Sequence, residues 1–188
     1  MRYIFPLVIV FFISVKSLQA QSFEAEVSAG LTASQVSGDN LAGFNKAGFI
    51  GGAGVGFPIG ERWMLRTEVF FVQKGSRSTE KDPIFFKWNI AYLEIPLLIS
   101  FRLNERFFVD GGLGADLLIS SKVDYGAGWQ ETNSSMYALN PVWIFGLGYK
   151  LSDKIAFKAR HSYSLVRTNP TQNHFNNTVA VYLSLMLK

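Results

Sequence analysis

Two short stretches carry residue types that could do chemistry: His161-Ser162-Tyr163-Ser164 and the glycine run Gly51-Gly52-Ala53-Gly54-Val55-Gly56. A histidine activates a serine only when the two side chains converge. In an alternating segment His161 and Tyr163 share one face while Ser162 and Ser164 share the other, so base and nucleophile point apart. The other histidine, His174, has no partner with which to build a metal site. There is no cysteine, which excludes disulfides and thiolate metal sites alike. The glycine run fails both phosphate-binding templates. The dinucleotide pattern counted from Gly52 needs glycine where Phe57 stands, and no Gly-Lys-Ser/Thr follows. Glycine at every second position of a strand accounts for it. The expectation is no cofactor, no metal and no enzymatic activity.

The remaining polar residues are arranged by period two. Eight segments, over residues 23–32, 47–57, 63–74, 92–102, 107–120, 142–150, 155–165 and 178–187, alternate large apolar residues with polar or small ones. That alternation is the signature of a two-faced strand. In 92–102 the odd positions are Leu93, Ile95, Leu97, Ile99 and Phe101, and the even ones include Glu94, Ser100 and Arg102. The connections alternate too. Those over 58–62, 102–106 and 151–154 are tight; those over 33–46, 75–87, 121–141 and 166–177 are long and polar. This predicts an all-β fold, an eight-stranded antiparallel up-and-down transmembrane β-barrel, with short periplasmic turns and long extracellular loops.

The first twenty residues read as a secretory signal. Arg2 precedes an apolar run from Ile4 to Val15, and Ala20 offers a small residue for cleavage before Gln21. The expected domains are therefore 1–20, a signal peptide, and 21–188, the barrel. The formal charge of +4 falls to +2 once Arg2 and Lys16 are removed, too weak a bias to suggest nucleic acid. Export through a cleaved signal and insertion as a barrel place the chain in the outer membrane of a Gram-negative bacterium.

Alternation alone does not say which face meets lipid, since a soluble ligand-binding barrel has the same period. Volume does. The lumen of eight strands is just wide enough for side chains or one small ligand, and the odd face carries Phe, Leu, Trp, Ile and Val on nearly every strand. The even face instead sets Gly48, Gly52, Gly54, Gly56, Gly112, Gly114, Gly146 and Gly148 beside charged residues. The odd face is therefore assigned to lipid. Inside, charges need partners, and a lumen network is expected among Arg66, Glu68, Glu94, Asp110, Asp116, Lys158 and Arg160. Aromatics beside the turns and loops, Trp63, Phe107, Phe85, Phe86, Trp88 and Tyr137, match the two girdles of a membrane barrel. Pro96, inside the fourth segment, should mark a bulge because it cannot donate to the ladder.

With the strands placed, the chain resembles the PorT-like outer-membrane β-barrel family. The resemblance rests on Gly30-Leu31 with Ser37-Gly38-Asp39, Lys46-Ala47-Gly48-Phe49, Glu68 with Gln73-Lys74-Gly75, Tyr92-Leu93-Glu94-Ile95-Pro96-Leu97, and Gly111-Gly112-Leu113-Gly114. It implies a secreted eight-stranded barrel and says little of activity, although its founding member is tied to protein secretion. The Leu187-Lys188 end departs from the aromatic terminus such barrels usually present to the assembly machinery.

The functional expectation is a non-enzymatic barrel with a plugged polar lumen, structural or adhesive, or a partner in a surface or secretion assembly. The alternatives are a narrow passive channel, a lipid-modifying enzyme and a soluble ligand-binding barrel. Expected partners are outer-membrane lipid and lipopolysaccharide, the barrel-assembly machinery, and a protein or glycan contacted by Tyr125, Trp129 and Tyr137 in the long loops.

Overall fold

A computed structural model of the chain describes residues 23–41 and 43–187. The expected signal peptide and the terminal Lys188 lie outside the described residues. Among the described residues nine strands form: β1 Glu24–Ser37, β2 Lys46–Pro58, β3 Trp63–Arg77, β4 Lys87–Arg102, β5 Phe107–Asp124, β6 Trp129–Glu131, β7 Leu139–Lys150, β8 Ile155–Ser164 and β9 Phe175–Leu187. Eight close into a barrel in the order β4-β3-β2-β1-β9-β8-β7-β5, sealed by the β4–β5 pairing. All pairs are antiparallel. The short β6 leaves the barrel wall and pairs back onto the tip of β5. The segment expected to be one long loop, 121–141, thus contains a hairpin and the one-turn 3-10 helix Asn133–Ser135.

Parity assigns the faces. Leu31, Leu97, Ile99, Leu113, Leu147 and Leu183 are each at least half exposed on the outer surface, whereas Glu68, Glu94 and Lys158 are sealed inside. A water-soluble barrel would expose the second set and bury the first. Inside, glycines make room for bulk. A Cβ on Gly148 would lie 2.0 Å from the Phe108 ring, and one on Gly30 would lie 2.4 Å from the Tyr182 Cβ.

Most strands run past the sequence-predicted limits at the long-loop end. β1 continues to Ser37, β3 to Arg77 and β5 to Asp124, while β4 begins at Lys87, β7 at Leu139 and β9 at Phe175. The cause is a change of solvent. In these extensions the inward residues are Val36, Trp88, Ile90 and Val123, all buried, and the outward ones are Gln35, Asn89 and Lys122. The strand keeps its pleat, but the outside now meets water, so apolar residues turn inward. A reading tuned to greasy-outward alternation stops where the phase reverses.

The same reversal corrects Trp88, which is no girdle residue. It is 5% exposed in a core with Val36, Ile90, Tyr92, Val123 and Met136, and its indole N–H donates to Ser121 Oγ at 2.9 Å. Pro96 is corrected as well. Thr67 pairs with Leu97 and Phe70 with Glu94, so β3 and β4 keep one register across the proline. The ladder simply lapses at Glu68 and Val69, and the Thr67 hydroxyl donates to the Pro96 carbonyl at 3.1 Å. The register shift lies elsewhere. Ala91 faces Ser120 and Tyr92 faces Leu118, which leaves Ile119 as an extra residue in β5. That bulge turns Ser121 and Val123 inward beyond it.

Candidate functional site

The lumen is filled from the short-turn end upward by ion pairs. Lowest is Arg66 on β3, 3.0 Å from Glu26 on β1 and 3.6 Å from Glu24. The second oxygen of Glu26 takes the Lys158 ammonium from β8. One layer higher Arg160 holds Glu68 and, at 3.4 Å, Glu94. Above that Lys74 on β3 lies 2.8 Å from Glu94 on β4 and 2.7 Å from Asp116 on β5. Aromatic rings bound the layers. Arg66 sits over Phe108 at 5.5 Å, Arg160 over Phe70 at 5.2 Å and over Tyr182 at 5.4 Å, and Lys74 over Tyr92 at 5.7 Å. Such cation–ring stacking adds to each cation's stabilisation. The Tyr92 hydroxyl accepts from Asn176 Nδ2 at 3.1 Å, and the apolar core around Trp88 closes the top.

Of the seven residues expected in this network, Arg66, Glu68, Glu94, Asp116, Lys158 and Arg160 join ion pairs. Asp110 lies buried in the same lumen but makes none, and its Oδ1 has no hydrogen-bond partner. The hub that joins β3, β4 and β5, Lys74, is not among the seven, although its even position gives it the inward parity of Arg66 and Glu68. Among the described residues nine charged side chains are buried: the cations Arg66, Lys74, Lys158 and Arg160, and the carboxylates Glu26, Glu68, Glu94, Asp110 and Asp116. Four positive and five negative give a formal lumen charge of −1.

At the long-loop end, above the Trp88 core, the loops enclose a cleft of about 540 Å³ lined by Asp39, Phe86, Trp88, Tyr125, Asn173 and His174, among others. Mixed aromatic and amide linings of this size are typical of small-molecule sites. The His174 ring packs edge-on against Trp88, with centroids 5.4 Å apart. Partial burial between Trp88 and the 38–41 loop lowers the His174 pKa, a shift opposed by the Asp39 charge and a hydrogen bond with the Gly38 backbone. Tyr125 lines this cleft, but Trp129 and Tyr137 do not. Trp129 is 52% exposed on β6, and Tyr137 bonds through its backbone N–H to the Thr168 carbonyl at 2.9 Å. The sequence places Phe86 among the girdle aromatics and Asp39 in the run after the first strand, and loop geometry alone brings the two together in the cleft.

Among the described residues His161 meets an amide and an indole rather than a serine. Its Nε2 lies 2.7 Å from Asn177 Oδ1 and its ring packs on Trp143, while Ser162 and Ser164 are buried inside the barrel. Among the described residues no cluster of three or more His, Cys, Asp or Glu is placed to hold a metal ion.

Residues 19–168 match the outer membrane protein β-barrel domain family. The chain belongs to that family. Its barrel is therefore an outer-membrane barrel, with the short turns on the periplasmic side and the long loops outside. The fold is shared with solved structures of low identity. Ail, the attachment invasion locus protein of Yersinia pestis, superimposes with a TM-score of 0.56 at 16% identity, covering 87% of this chain and 98% of that one. Ail in complex with the heparin analogue sucrose octasulfate gives 0.57 at 15%, covering 88% and 99%. Neisserial surface protein A gives 0.54 at 13%, covering 87% and 96%. No curated protein sequence matches the chain.

Proposed function

We propose that this outer-membrane barrel is a non-enzymatic surface protein of structural or adhesive role that engages a protein or glycan partner through its external loops. The observation that carries the reading is the contrast between the two ends of the lumen. Three layers of ion pairs and an apolar cap fill the barrel, while the external loops hold an open cleft of about 540 Å³ with aromatic and amide walls. Stacking rings beside amide donors and acceptors suit a sugar face or a polar peptide. Ail, of the same fold, bears attachment in its name and has been solved with a heparin analogue, which favours the adhesive sense. The Tyr92–Leu97 run supports placing the chain with the PorT-like members, and the role of a partner in a surface or secretion assembly comes with that placement. The filled lumen counts against a passive channel, and the separation of His161 from Ser162 counts against a lipid-modifying enzyme.

The test is crosslinking on intact cells followed by identification of what is captured, with wild type compared against Phe86→Ala and Tyr125→Ala. Loss of a specific partner in both variants is expected. Capture unchanged by both variants would remove the cleft from the proposal. In planar bilayers the folded chain should carry no sustained current, and large stable conductance would refute the plugged lumen.

A further inference from the structure

The cleft at the long-loop end is walled by groups that hydrogen-bond without carrying charge. Among the described residues lining it, Asp39 is the one with a formal charge and there is no lysine or arginine, in a chain with 18 of these cations against 14 acids. His174 adds no positive charge at neutral pH, since partial burial lowers its pKa. Asp39 itself is uncompensated. Among the described residues it makes no ion pair; one oxygen accepts from the Leu41 N–H at 2.9 Å, and the other has no hydrogen-bond partner. An anion entering the cleft therefore meets a negative charge and no cation to offset it.

The polar side chains around the cleft are free to bind. Asn40, Ser135 and Asn173 are exposed, and among the described residues their side chains make no hydrogen bond. An amide and a hydroxyl can each both donate and accept, as the hydroxyls of a sugar also do. Beside them Tyr125 is 61% exposed and Phe86 is half-buried, with ring centroids 5.5 Å apart and planes inclined at 59°. Two tilted rings offer apolar surface to the C–H face of a pyranose. A peptide instead needs a strand edge to pair with or an apolar socket for its anchor side chains, and the apolar core below this cleft is already filled by Trp88, Val123 and Met136.

The walls are also held in place. Asn40 takes a left-handed conformation at φ 62°. Gly38, at φ 98°, packs so closely that a Cβ there would lie 2.2 Å from the Asn173 carbonyl oxygen. The Thr168 N–H and hydroxyl both donate to the His174 carbonyl, at 2.7 and 3.2 Å, and the Tyr137 N–H donates to the Thr168 carbonyl at 2.9 Å. A wall already shaped loses little freedom when a ligand arrives.

On the reading of the external loops as a contact surface, we infer that the cleft takes an uncharged saccharide. Its rings lie on Phe86 and Tyr125, its hydroxyls bond to Asn40, Ser135 and Asn173, and the Asp39 charge turns away sulfated and carboxylated glycans.

The experiment uses the full barrel in nanodiscs of zwitterionic phospholipid. It is applied to an array of uncharged oligosaccharides of glucose, galactose, mannose and N-acetylglucosamine, each beside its sulfated counterpart. Wild type should bind an uncharged member and bind its sulfated counterpart about fivefold more weakly, the effect of one nearby like charge in water. Phe86→Ala and Tyr125→Ala should each lose roughly tenfold on the uncharged member, and Asn173→Ala about fivefold. Asp39→Asn should raise binding of the sulfated counterpart about fivefold. Lys81→Gln, which removes an exposed cation outside the cleft, should match wild type. Heat-modifiable migration on gels reports whether each variant is folded. Should Phe86→Ala fail to fold, Tyr125→Ala carries the test, because that ring is mostly exposed. Binding confined to the sulfated members overturns the inference, as does uncharged binding that survives the ring substitutions or a preference that Asp39→Asn leaves unchanged. A blank array overturns it too; a protein captured on cells and lost in the ring variants would then leave the contact surface standing and remove the saccharide from it.

Discussion

Replacing Lys74 by methionine keeps most of the side-chain volume and deletes one charge from the middle of the lumen. The ammonium it removes lies 2.8 Å from Glu94 and 2.7 Å from Asp116. Glu94 retains Arg160 at 3.4 Å, but Asp116 has no second cation among the described residues. Formal lumen charge moves from −1 to −2. Breaking a buried pair from one side costs about 3–5 kcal/mol, because the abandoned charge stays desolvated. Glu94→Gln is gentler. Lys74 keeps Asp116, Arg160 keeps Glu68, and the lumen becomes neutral, so the loss is that of charged hydrogen bonds, about 1.5–3 kcal/mol. Urea titration of the barrel refolded in lipid vesicles, followed by tryptophan fluorescence, reads the difference. With an m-value of about 2 kcal/mol/M, Lys74→Met should lower the midpoint by roughly 2 M and Glu94→Gln by about 1 M. Adding Asp116→Asn to Lys74→Met removes the abandoned charge and should recover most of the loss, a coupling that a double-mutant cycle isolates. The reasoning fails if Glu94→Gln is the more damaging variant, or if Asp116→Asn deepens the Lys74→Met defect.

Trp88→Ala empties the centre of the apolar cap and should cost about 3–5 kcal/mol in the same titration, against little for an exposed girdle residue; a loss below 1 kcal/mol would return Trp88 to the surface. The lowered pKa of His174 means that the folded loops bind its proton more weakly than the unfolded chain does. Their packing is therefore fully stabilised above the ordinary histidine pKa and weakens as pH falls through it. Hydrogen exchange in residues 168–175 should be faster at pH 5 than at pH 7.5 after correction for intrinsic rates, and His174→Gln should flatten that difference; an equal difference in the variant refutes the assignment. Pro96→Ala supplies the missing ladder donor opposite Glu68 without disturbing a bulge, so the urea midpoint should move by no more than about 0.5 M, corresponding to about 1 kcal/mol. A large destabilisation would show that the proline holds the strand in some other way.

The fold was legible because the bilayer imposes one rule on every strand it touches. Outward residues must be apolar, and an eight-strand lumen has room only for the smaller remainder. Leu93, Ile95, Leu97, Ile99 and Phe101 declare their side without reference to any neighbour, and alternating connection lengths then order the strands. What escaped is what the bilayer does not touch. Val36, Ile90 and Val123 belong to a water-facing barrel stacked on the lipid-facing one, and there the apolar residues occupy the opposite face. A period-two scan that allowed the phase to reverse would have found the extensions and moved Trp88 inside.

The site divides along the same line. Inward parity identifies which charges share the lumen, because every strand contributes its even face, but it does not say which height each occupies. Height is set by register, and register depends on strand stagger that composition does not encode. Lys74 is the instructive case. Counted along β3 it lies eight residues above Arg66, too far to join the same layer, and only the stagger of β4 and β5 brings Glu94 and Asp116 level with it. Tyr92, Glu94 and Pro96 then acquire distinct jobs within five residues of one strand. Tyr92 meets Asn176 below the apolar cap, Glu94 bridges Lys74 to Arg160, and Pro96 interrupts the ladder at Glu68, whose carboxylate reaches across the lumen to Arg160. A run so compact serves three layers of one plug, which is why its residue types are specific while its neighbours Leu93, Ile95 and Leu97 need only be apolar.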